Sequence, residues 1–219
     1  MKMIKNATFP LVGMLVALSA CSGPASDTPD VKEAAKVEEA VVEKAAGVKR
    51  PEFTAEGAVV APTDWRDWVF VGTPLTPNAL NGGEAAFPEF HNVYIEPSAW
   101  EHFSETGEFA NGTQIAKELV LIRDSENGND PATGASFEVS GQGYFQGEFA
   151  GLEISYKDTE RFADEPGGWV YYSFGHQPEP YNKTAEAFPA EACNSCHETS
   201  AATDFVFTQF YPVLRAAMK

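Results

Sequence analysis

The sequence has little positive charge: 15 Lys and Arg residues stand against 32 Asp and Glu residues, for a formal net charge of −17 over 219 residues. A surface this acidic repels phosphate backbones, which argues against nucleic acid as a partner and favours a basic protein. The sequence also lacks an apolar run of the ~20 residues that a membrane-spanning helix needs. Its composition, 43% hydrophobic and 21% charged, excludes collagen, a coiled coil and wholesale disorder and is typical of a globular chain.

The N-terminus has the features of an export signal. Lys2 and Lys5 precede the short apolar segment Phe9–Ala17, which is the order of charged and hydrophobic regions in a secretory signal. The segment Leu-Ser-Ala-Cys that ends at Cys21 resembles the bacterial lipobox, so we expect lipidation of Cys21. The alternative is a plain signal peptide with a cysteine near its cleavage site. Either interpretation predicts a periplasmic protein, and lipidation of Cys21 would be its only attachment to a membrane.

Residues 22–50 form a segment rich in Pro, Ser, Ala, Glu and Lys without an aromatic residue, which predicts a flexible or weakly helical tether. The folded domain is expected over residues 51–219, which contain all four Trp and all seven Tyr residues. Segments that alternate Val, Ile, Phe or Tyr with polar residues predict strands there. These lie near Trp68–Gly72, Asn92–Glu96, Thr113–Arg123, Ser136–Ser140, Gly143–Tyr156 and Trp169–Phe174.

Three further segments have helical patterns. Pro97–Glu105 carries a proline suited to a first turn and is followed by Gly107, which suits a helix end. The other two are Phe188–His197 and Pro212–Met218. Successive strands with short Gly-rich and Asn-rich breaks favour an antiparallel sheet, with helices gathered at one face or end. The predicted fold class is therefore α+β, mostly β, with an antiparallel sheet and a few helices.

Residues 193–197 read Cys-Asn-Ser-Cys-His, the attachment motif of c-type haem. The thiols of Cys193 and Cys196 add to the haem vinyl groups, and His197 is then placed to ligate the iron. A thioredoxin-like redox pair would need a βαβ context that the sequence does not show, and a structural disulfide is the other alternative. Export favours haem, because c-type cytochromes are assembled outside the cytoplasm. We expect one covalent haem c per chain, bound near the C-terminal helix of the motif.

Few residues are suited to the second axial position of the iron. Electron-transfer cytochromes use Met or His there, but Met218 is the single methionine of the predicted domain and lies at its end. His102 falls on a predicted helix and is expected at the surface. His91 and His176 flank strands and could approach the haem, although an ordinary structural role is favoured for both. The expectation is an open distal site that binds small molecules.

Lys117 is one of only four lysines after residue 50. Strand alternation places it on one face with Ile115 and Leu119. A desolvated lysine among such neighbours would have a lowered pKa and a nucleophilic neutral amine. The equally weighted alternative is a lysine at the strand margin that pairs with a carboxylate.

Several segments, in this order, resemble the cytochrome P-460 family: WVFVGTPLTPNALNGGEAAFPEFHNVYIEP, TGEFANGTQIAKELV, GYFQGEFAGLEISYKDTERFADEPGGW, CNSCH and TDFVFTQFYPVLRAA. The resemblance covers about Trp65 to Ala217, nearly the whole predicted domain. It implies a mostly antiparallel β fold, usually a homodimer, and one covalent c-type haem with His197 as the proximal ligand. The hallmark of the family is a bond from a lysine nitrogen to a porphyrin meso carbon, and the matching position here is Lys117.

For the catalytic branch of that family, the resemblance implies oxidation of hydroxylamine to nitrous oxide, nitric oxide or both at an open iron position opposite His197. Removing protons from the substrate requires a base. The position at which the family carries such a group corresponds here to Phe188, which is bracketed by Glu186 and Glu191. These two carboxylates are therefore the candidate proton acceptors.

Phe87, Phe90 and His91 are candidates for lining the distal side, although packing in a core is the commoner role of Phe. The acidic surface favours a soluble basic cytochrome c as electron acceptor, and solubility alone would explain the acidity equally well. The related cytochrome c-prime-beta proteins share the fold, lack the cross-link and bind nitric oxide without turnover. This non-catalytic function is the alternative, and the presence of Lys117 favours the catalytic branch.

Overall fold

The structure is a computed structural model that describes residues 47–218, so the expected signal peptide, Cys21 and most of the expected tether lie outside the described residues. The strands are β1 (Val59–Val60), β2 (Val69–Gly72), β3 (Phe90–Ile95), β4 (Gln114–Ile122), β5 (Ser136–Glu138), β6 (Gly141–Gly143), β7 (Gln146–Lys157), β8 (Trp169–Ser173) and β9 (Thr184–Ala185). The helices are α1 (Pro97–Thr106), α2 (Asn194–Ser200) and α3 (Pro212–Ala217).

The centre of the fold is an antiparallel sheet of five strands in the order β2-β3-β4-β7-β8. Two short antiparallel pairs, β1 with β9 and β5 with β6, flank it. The predicted fold class, mostly β with an antiparallel sheet and a few helices, is confirmed. Between residues 47 and 218, no helix is both long enough and apolar enough to cross a membrane.

Helix α1 begins and ends where local signals predict. The Glu96 side chain accepts hydrogen bonds from the backbone amides of Ser98 and Ala99, at 2.9 and 3.1 Å, and so caps the first turn. Pro97 occupies the first helical position, where its missing N–H costs nothing. Gly107 ends the helix with φ of 76°, a left-handed conformation that glycine adopts without strain.

The predicted helix over Phe188–His197 is wrong in its extent, because α2 begins only at Asn194. Residues 190–193 form turns, and the two residues at 187 and 188 are paired with β8. The backbone N–H of Phe188 donates to the Tyr171 carbonyl at 2.8 Å, and Ala187 forms a β-bridge with Tyr172. Pairing with a strand is incompatible with helical geometry, so this tertiary contact overrides the local propensity.

Alternation along β4 gives the sheet two faces. Ile115 and Lys117 point to one of them, and Ala116 points to the other. We call the first the helical face, because Ile115 shares a buried cluster with α1 and α3; that cluster includes Val93, Ile95, Ala99, Phe103, Trp169, Tyr171 and Leu214. The opposite face packs against the segment before β2; its cluster includes Val59, Trp65, Trp68, Ala116, Leu152 and Tyr172.

Candidate functional site

The Cys-x-x-Cys-His motif lies at the start of α2, beside the helical face. Cys193 directly precedes the first helical residue, Asn194. Asn194 is buried and fastens this turn to β8, because its side-chain amide donates to the Trp169 carbonyl at 2.8 Å. Cys193 is partly buried against the core of the helical face, Cys196 is exposed, and both are free thiols. Both sulfurs are therefore available on one helical turn.

His197 is oriented so that one ring nitrogen remains available to a metal. Its Nδ1 donates to the carbonyl oxygen of Phe205 at 2.7 Å, which leaves the lone pair of Nε2 for a ligand. The rings of Tyr171 and Phe207 flank the imidazole at 4.4 and 4.7 Å between ring centres. Burial lowers the pKa of His197, opposed by the Phe205 hydrogen bond and assisted by the charge of Lys117. A neutral, oriented imidazole is the form that ligates iron.

Lys117 lies on the helical face, where its Nζ is 2.6 Å from Oε2 of Glu153 and 4.4 Å from the centre of the Phe87 ring. The lysine is paired with a carboxylate, as in the second sequence-based alternative, but it lies inside β4 and not at the margin of the strand. The positive charge of Lys117 contributes to lowering the pKa of both His91 and His197. The amine therefore belongs to the same electrostatic environment as the haem motif.

His91 lies on β3, two residues from Val93, which is the register partner of Lys117. Its ring meets the ring of Phe87 edge-on at 5.7 Å. Burial, followed by the charge of Lys117, lowers the pKa of His91 to about 4, so the imidazole is neutral at neutral pH. The buried Nε2 of His91 has no hydrogen-bond partner among residues 47–218.

Sequence reasoning missed Glu89, a buried carboxylate beside this group. Glu89 is 5% exposed, and its Oε1 lies 2.8 Å from Nε2 of His176. Its Oε2 is buried and has no hydrogen-bond partner in the described part of the chain. The negative charge of Glu89 acts against the lowered pKa of His91. No local pattern marks this residue, because it precedes β3 in a loop and its partner follows β8.

Other predicted site residues lie apart from this group. The register pairs Phe90 with Val120, so strand alternation points the Phe90 ring to the face opposite Lys117. Glu186 and Glu191 are both exposed in the segment that leads to α2. Phe87 and His91 therefore lie on the same side of the sheet as Lys117, whereas Phe90 lies on the opposite side.

Two residues considered as second axial ligands occupy different environments. Met218 lines a surface depression beside the C-terminal turn of α1, with Glu105 and Gly107. His102 was expected at the surface, and that prediction is wrong, since only 4% of it is exposed. Ala99, His102 and Phe103 form the buried stripe of α1, at the spacing that turns one helix face towards a core.

Comparison with known proteins identifies the family. The Cytochrome P460 family model matches residues 62–208, a span that includes Lys117 and the whole Cys-x-x-Cys-His motif. The chain belongs to the cytochrome P460 family. No curated protein matches it. Membership of the cytochrome P460 family implies a c-type haem and is associated with redox enzyme activity.

The residues present fit the haem of a cytochrome P460. Cys193 and Cys196 supply two free thiols, and His197 supplies an imidazole whose Nε2 remains available. The hydroxyl of Tyr171, which flanks His197, is also buried without a hydrogen-bond partner among residues 47–218. Buried polar atoms of native proteins normally have hydrogen-bond partners, so the unpartnered atoms of Tyr171 and His91 fit a site that holds a further group.

Proposed function

We propose that the mature protein is a mono-haem c-type cytochrome that oxidises hydroxylamine to nitrous oxide, nitric oxide or both, at an open distal site. The observation that carries the proposal is the position of Lys117. Its amine lies on the sheet face beside the haem motif and within electrostatic reach of both His91 and His197. An amine on this face supports the proposal that Lys117 bonds the edge of a haem attached through Cys193 and Cys196.

When bound, the haem supplies an iron centre that takes the nitrogen substrate and accepts its electrons. The protein supplies the rest. His197 would hold the iron through Nε2, and Lys117 would bond the porphyrin. An amine substituent donates electron density to the ring, and distortion of the macrocycle is a further means of setting the potential of a haem. Phe87, which covers the Lys117 amine, keeps water from one side of it.

Oxidation of hydroxylamine releases protons together with electrons, so the site needs a proton acceptor. Glu186 and Glu191 are the acceptors indicated by the sequence, and we add Glu89 as the one favoured by burial. Glu89 has a free carboxylate oxygen, and its other oxygen is held by His176. His176 is 59% exposed, so the pair could pass a proton from the interior to solvent.

The partners and the compartment follow from the same proposal. We propose that the protein acts in the periplasm, is anchored by a lipid on Cys21, works as a homodimer and passes its electrons to a soluble basic cytochrome c. The formal net charge of −17 supports such an acceptor, because opposite charges speed the encounter of two proteins. If this is correct, the electron-transfer rate to a basic cytochrome c falls as salt concentration rises.

The second candidate is a nitric-oxide-binding protein of the cytochrome c-prime-beta type, without turnover. It is favoured by the exposure of Glu186 and Glu191, the two carboxylates that the sequence indicated as proton acceptors, because binding nitric oxide needs no proton acceptor. The ferrous absorption spectrum of native haem-loaded protein separates the two functions. A strongly red-shifted Soret band together with hydroxylamine turnover supports the enzyme. An ordinary c-type spectrum with nitric oxide binding and no turnover supports the second candidate.

A further inference from the structure

The His197 hydrogen bond depends on an unusual turn. Residues 203–206 form a tight hairpin, in which the Val206 amide donates to the Thr203 carbonyl at 2.8 Å. The two central residues, Asp204 and Phe205, have φ of 42° and 61° and are the two non-glycine residues with positive φ within residues 47–218. Left-handed φ at both central positions is typical of a type I′ turn, which strongly prefers Asn and Gly. A bulky residue such as Phe205 in this conformation needs support from its surroundings.

The Asp204 side chain provides a connection from this turn to the central sheet. One carboxylate oxygen accepts a hydrogen bond from Lys157 Nζ at 2.6 Å, and the other accepts one from Trp169 Nε1 at 3.2 Å. Lys157 and Trp169 are register partners, at the end of β7 and the start of β8. Lys157 also donates to the Phe109 carbonyl at 2.8 Å, which fixes its ammonium group. Both donors are therefore rigid parts of the sheet.

The ring of Phe205 packs against the backbone of Gly167. A Cβ atom added to Gly167 would lie 2.7 Å from Cδ2 of that ring, which is well inside van der Waals contact. Glycine at position 167 thus allows the Phe205 ring to lie directly over the backbone. With its ring on Gly167 and its neighbour Asp204 tied to the sheet, the Phe205 carbonyl is directed at His197 Nδ1.

We propose that Asp204 is a positioning residue for the iron ligand: by bonding Lys157 and Trp169 it holds the 203–206 turn so that the Phe205 carbonyl accepts the His197 hydrogen bond. A firm hydrogen bond from Nδ1 orients the imidazole and makes Nε2 a more basic ligand. A more basic axial ligand stabilises ferric over ferrous iron and strengthens the iron–nitrogen bond. The inference requires only that His197 ligates a haem, and does not depend on hydroxylamine oxidation.

The test uses haem-loaded full-length protein with the substitutions Asp204→Gly, Asp204→Asn and Lys157→Met. Gly keeps the left-handed conformation and loses both hydrogen bonds, whereas Asn keeps that conformation and an acceptor for Trp169. The readouts are the iron–histidine stretching frequency of the ferrous protein by resonance Raman and the haem midpoint potential. We expect a lower frequency and a higher potential in Asp204→Gly and Lys157→Met, with smaller shifts in Asp204→Asn.

The matched control is Lys49→Met, which breaks an exposed lysine–aspartate pair with Asp64, at 3.2 Å, away from His197. This control should retain the wild-type frequency and potential. Wild-type values in both Asp204→Gly and Lys157→Met would overturn the proposal, because they would show that the 203–206 turn keeps its conformation without the Asp204 hydrogen bonds. If Lys157→Met yields no folded protein, Asp204→Gly decides by the same measurements. If the variants show these spectroscopic shifts but the wild-type protein does not turn over hydroxylamine, the proposed function is wrong and the role of Asp204 stands.

Discussion

Lys117 and Glu153 occupy directly opposed positions on β4 and β7, and their side chains form an ion pair with Nζ 2.6 Å from Oε2. Both side chains are partly exposed, at 24% and 29%, so the pair adds at most about 1 kcal/mol to stability. Its importance is positional. The carboxylate fixes the end of a long, flexible side chain at one point on the helical face. In the cross-link proposed above, that point would determine which porphyrin edge the amine reaches.

The first prediction concerns Glu153→Gln. The amide keeps the shape of the side chain and loses the charge, so the Lys117 amine is held less firmly. We expect haem to remain attached while the fraction of protein with the lysine–porphyrin bond falls severalfold, as measured by peptide mapping. Glu138→Gln is the control, because it breaks a comparable pair with Arg123, at 2.7 Å, on a different hairpin. Equal cross-linking in both variants would contradict a positioning role for Glu153.

The second prediction concerns Lys117→Leu. Leu fills the same place on β4 without an amine, so the cross-link cannot form. We expect the ferrous Soret band to move to the position of ordinary c-type haem and hydroxylamine turnover to be lost. Haem should stay attached through Cys193 and Cys196. Lys183→Leu, at an exposed position before β9, should resemble the wild type. Unaltered turnover in Lys117→Leu would show that the catalytic role assigned to the lysine is wrong.

The third prediction separates three candidate proton acceptors. Glu89 is buried with a free carboxylate oxygen, while Glu186 and Glu191 are exposed. We expect Glu89→Gln to lower kcat for hydroxylamine by roughly 100-fold, the lower range for losing a general base, with unchanged haem content and absorption spectrum. Glu186→Gln and Glu191→Gln should have small effects. The reverse pattern would assign proton transfer to the segment before α2 and leave Glu89 as a structural partner of His176.

Local signals predicted the elements that depend on local geometry. The strand predicted at Trp169–Phe174 is observed as Trp169–Ser173, because a short run of Val and aromatic residues suits a strand that is buried on both faces. Helix α1 was predicted closely because Pro97 and Gly107 act within one turn of its ends. The Cys-x-x-Cys-His motif is likewise a local pattern, since both thiols and the imidazole must meet one porphyrin from one helical turn.

The contacts that complete the site depend on long-range pairing, which the sequence does not state. Glu153 could not be assigned to Lys117 without the register of β4 against β7. The burial of His102 depends on which stripe of α1 faces the sheet, and its neighbours Glu101 and Phe103, one charged and one apolar, did not indicate which. The positive φ of Asp204 is also set by its surroundings, because Asp adopts several turn conformations equally well.

The fourth prediction is a pH dependence of stability that originates at His91. Burial and the Lys117 charge lower its pKa from 6.5 to about 4, while Glu89 and Glu153 act in the opposite direction. The unfolded state therefore binds a proton more readily than the folded state. The contribution of His91 is complete above its ordinary pKa and is lost as pH falls towards the folded value. Between about pH 7 and about pH 5 this loss amounts to roughly 2 kcal/mol.

Denaturant unfolding of haem-loaded wild type and His91→Gln at the two pH values measures this contribution. Acidic groups elsewhere affect both proteins alike, so the difference between them isolates the histidine. On acidification, the free energy of unfolding should fall by roughly 2 kcal/mol more in the wild type than in the variant. Parallel losses would mean that His91 is as easily protonated in the folded protein as in the unfolded chain.

The fifth prediction compares two glycines with similar backbone conformations. Gly167 and Gly82 have φ of 62° and 68°, but only Gly167 lies against another residue, since nothing lies within 4 Å of a Cβ built on Gly82. Alanine at either position destabilises the protein by about 1 kcal/mol, because its Cβ is strained in the left-handed backbone conformation. At Gly167 the methyl group also meets the Phe205 ring, which adds roughly 1–3 kcal/mol of overpacking. Denaturant unfolding should therefore show a larger loss of stability for Gly167→Ala than for Gly82→Ala.

The same pair of variants also tests the link to His197. Because Phe205 must move to admit the methyl group, its carbonyl shifts away from His197, and the iron–histidine stretching frequency should fall only in Gly167→Ala. Equal losses of stability, with the same frequency in both variants, would mean that the Phe205 ring finds another position without disturbing the iron ligand.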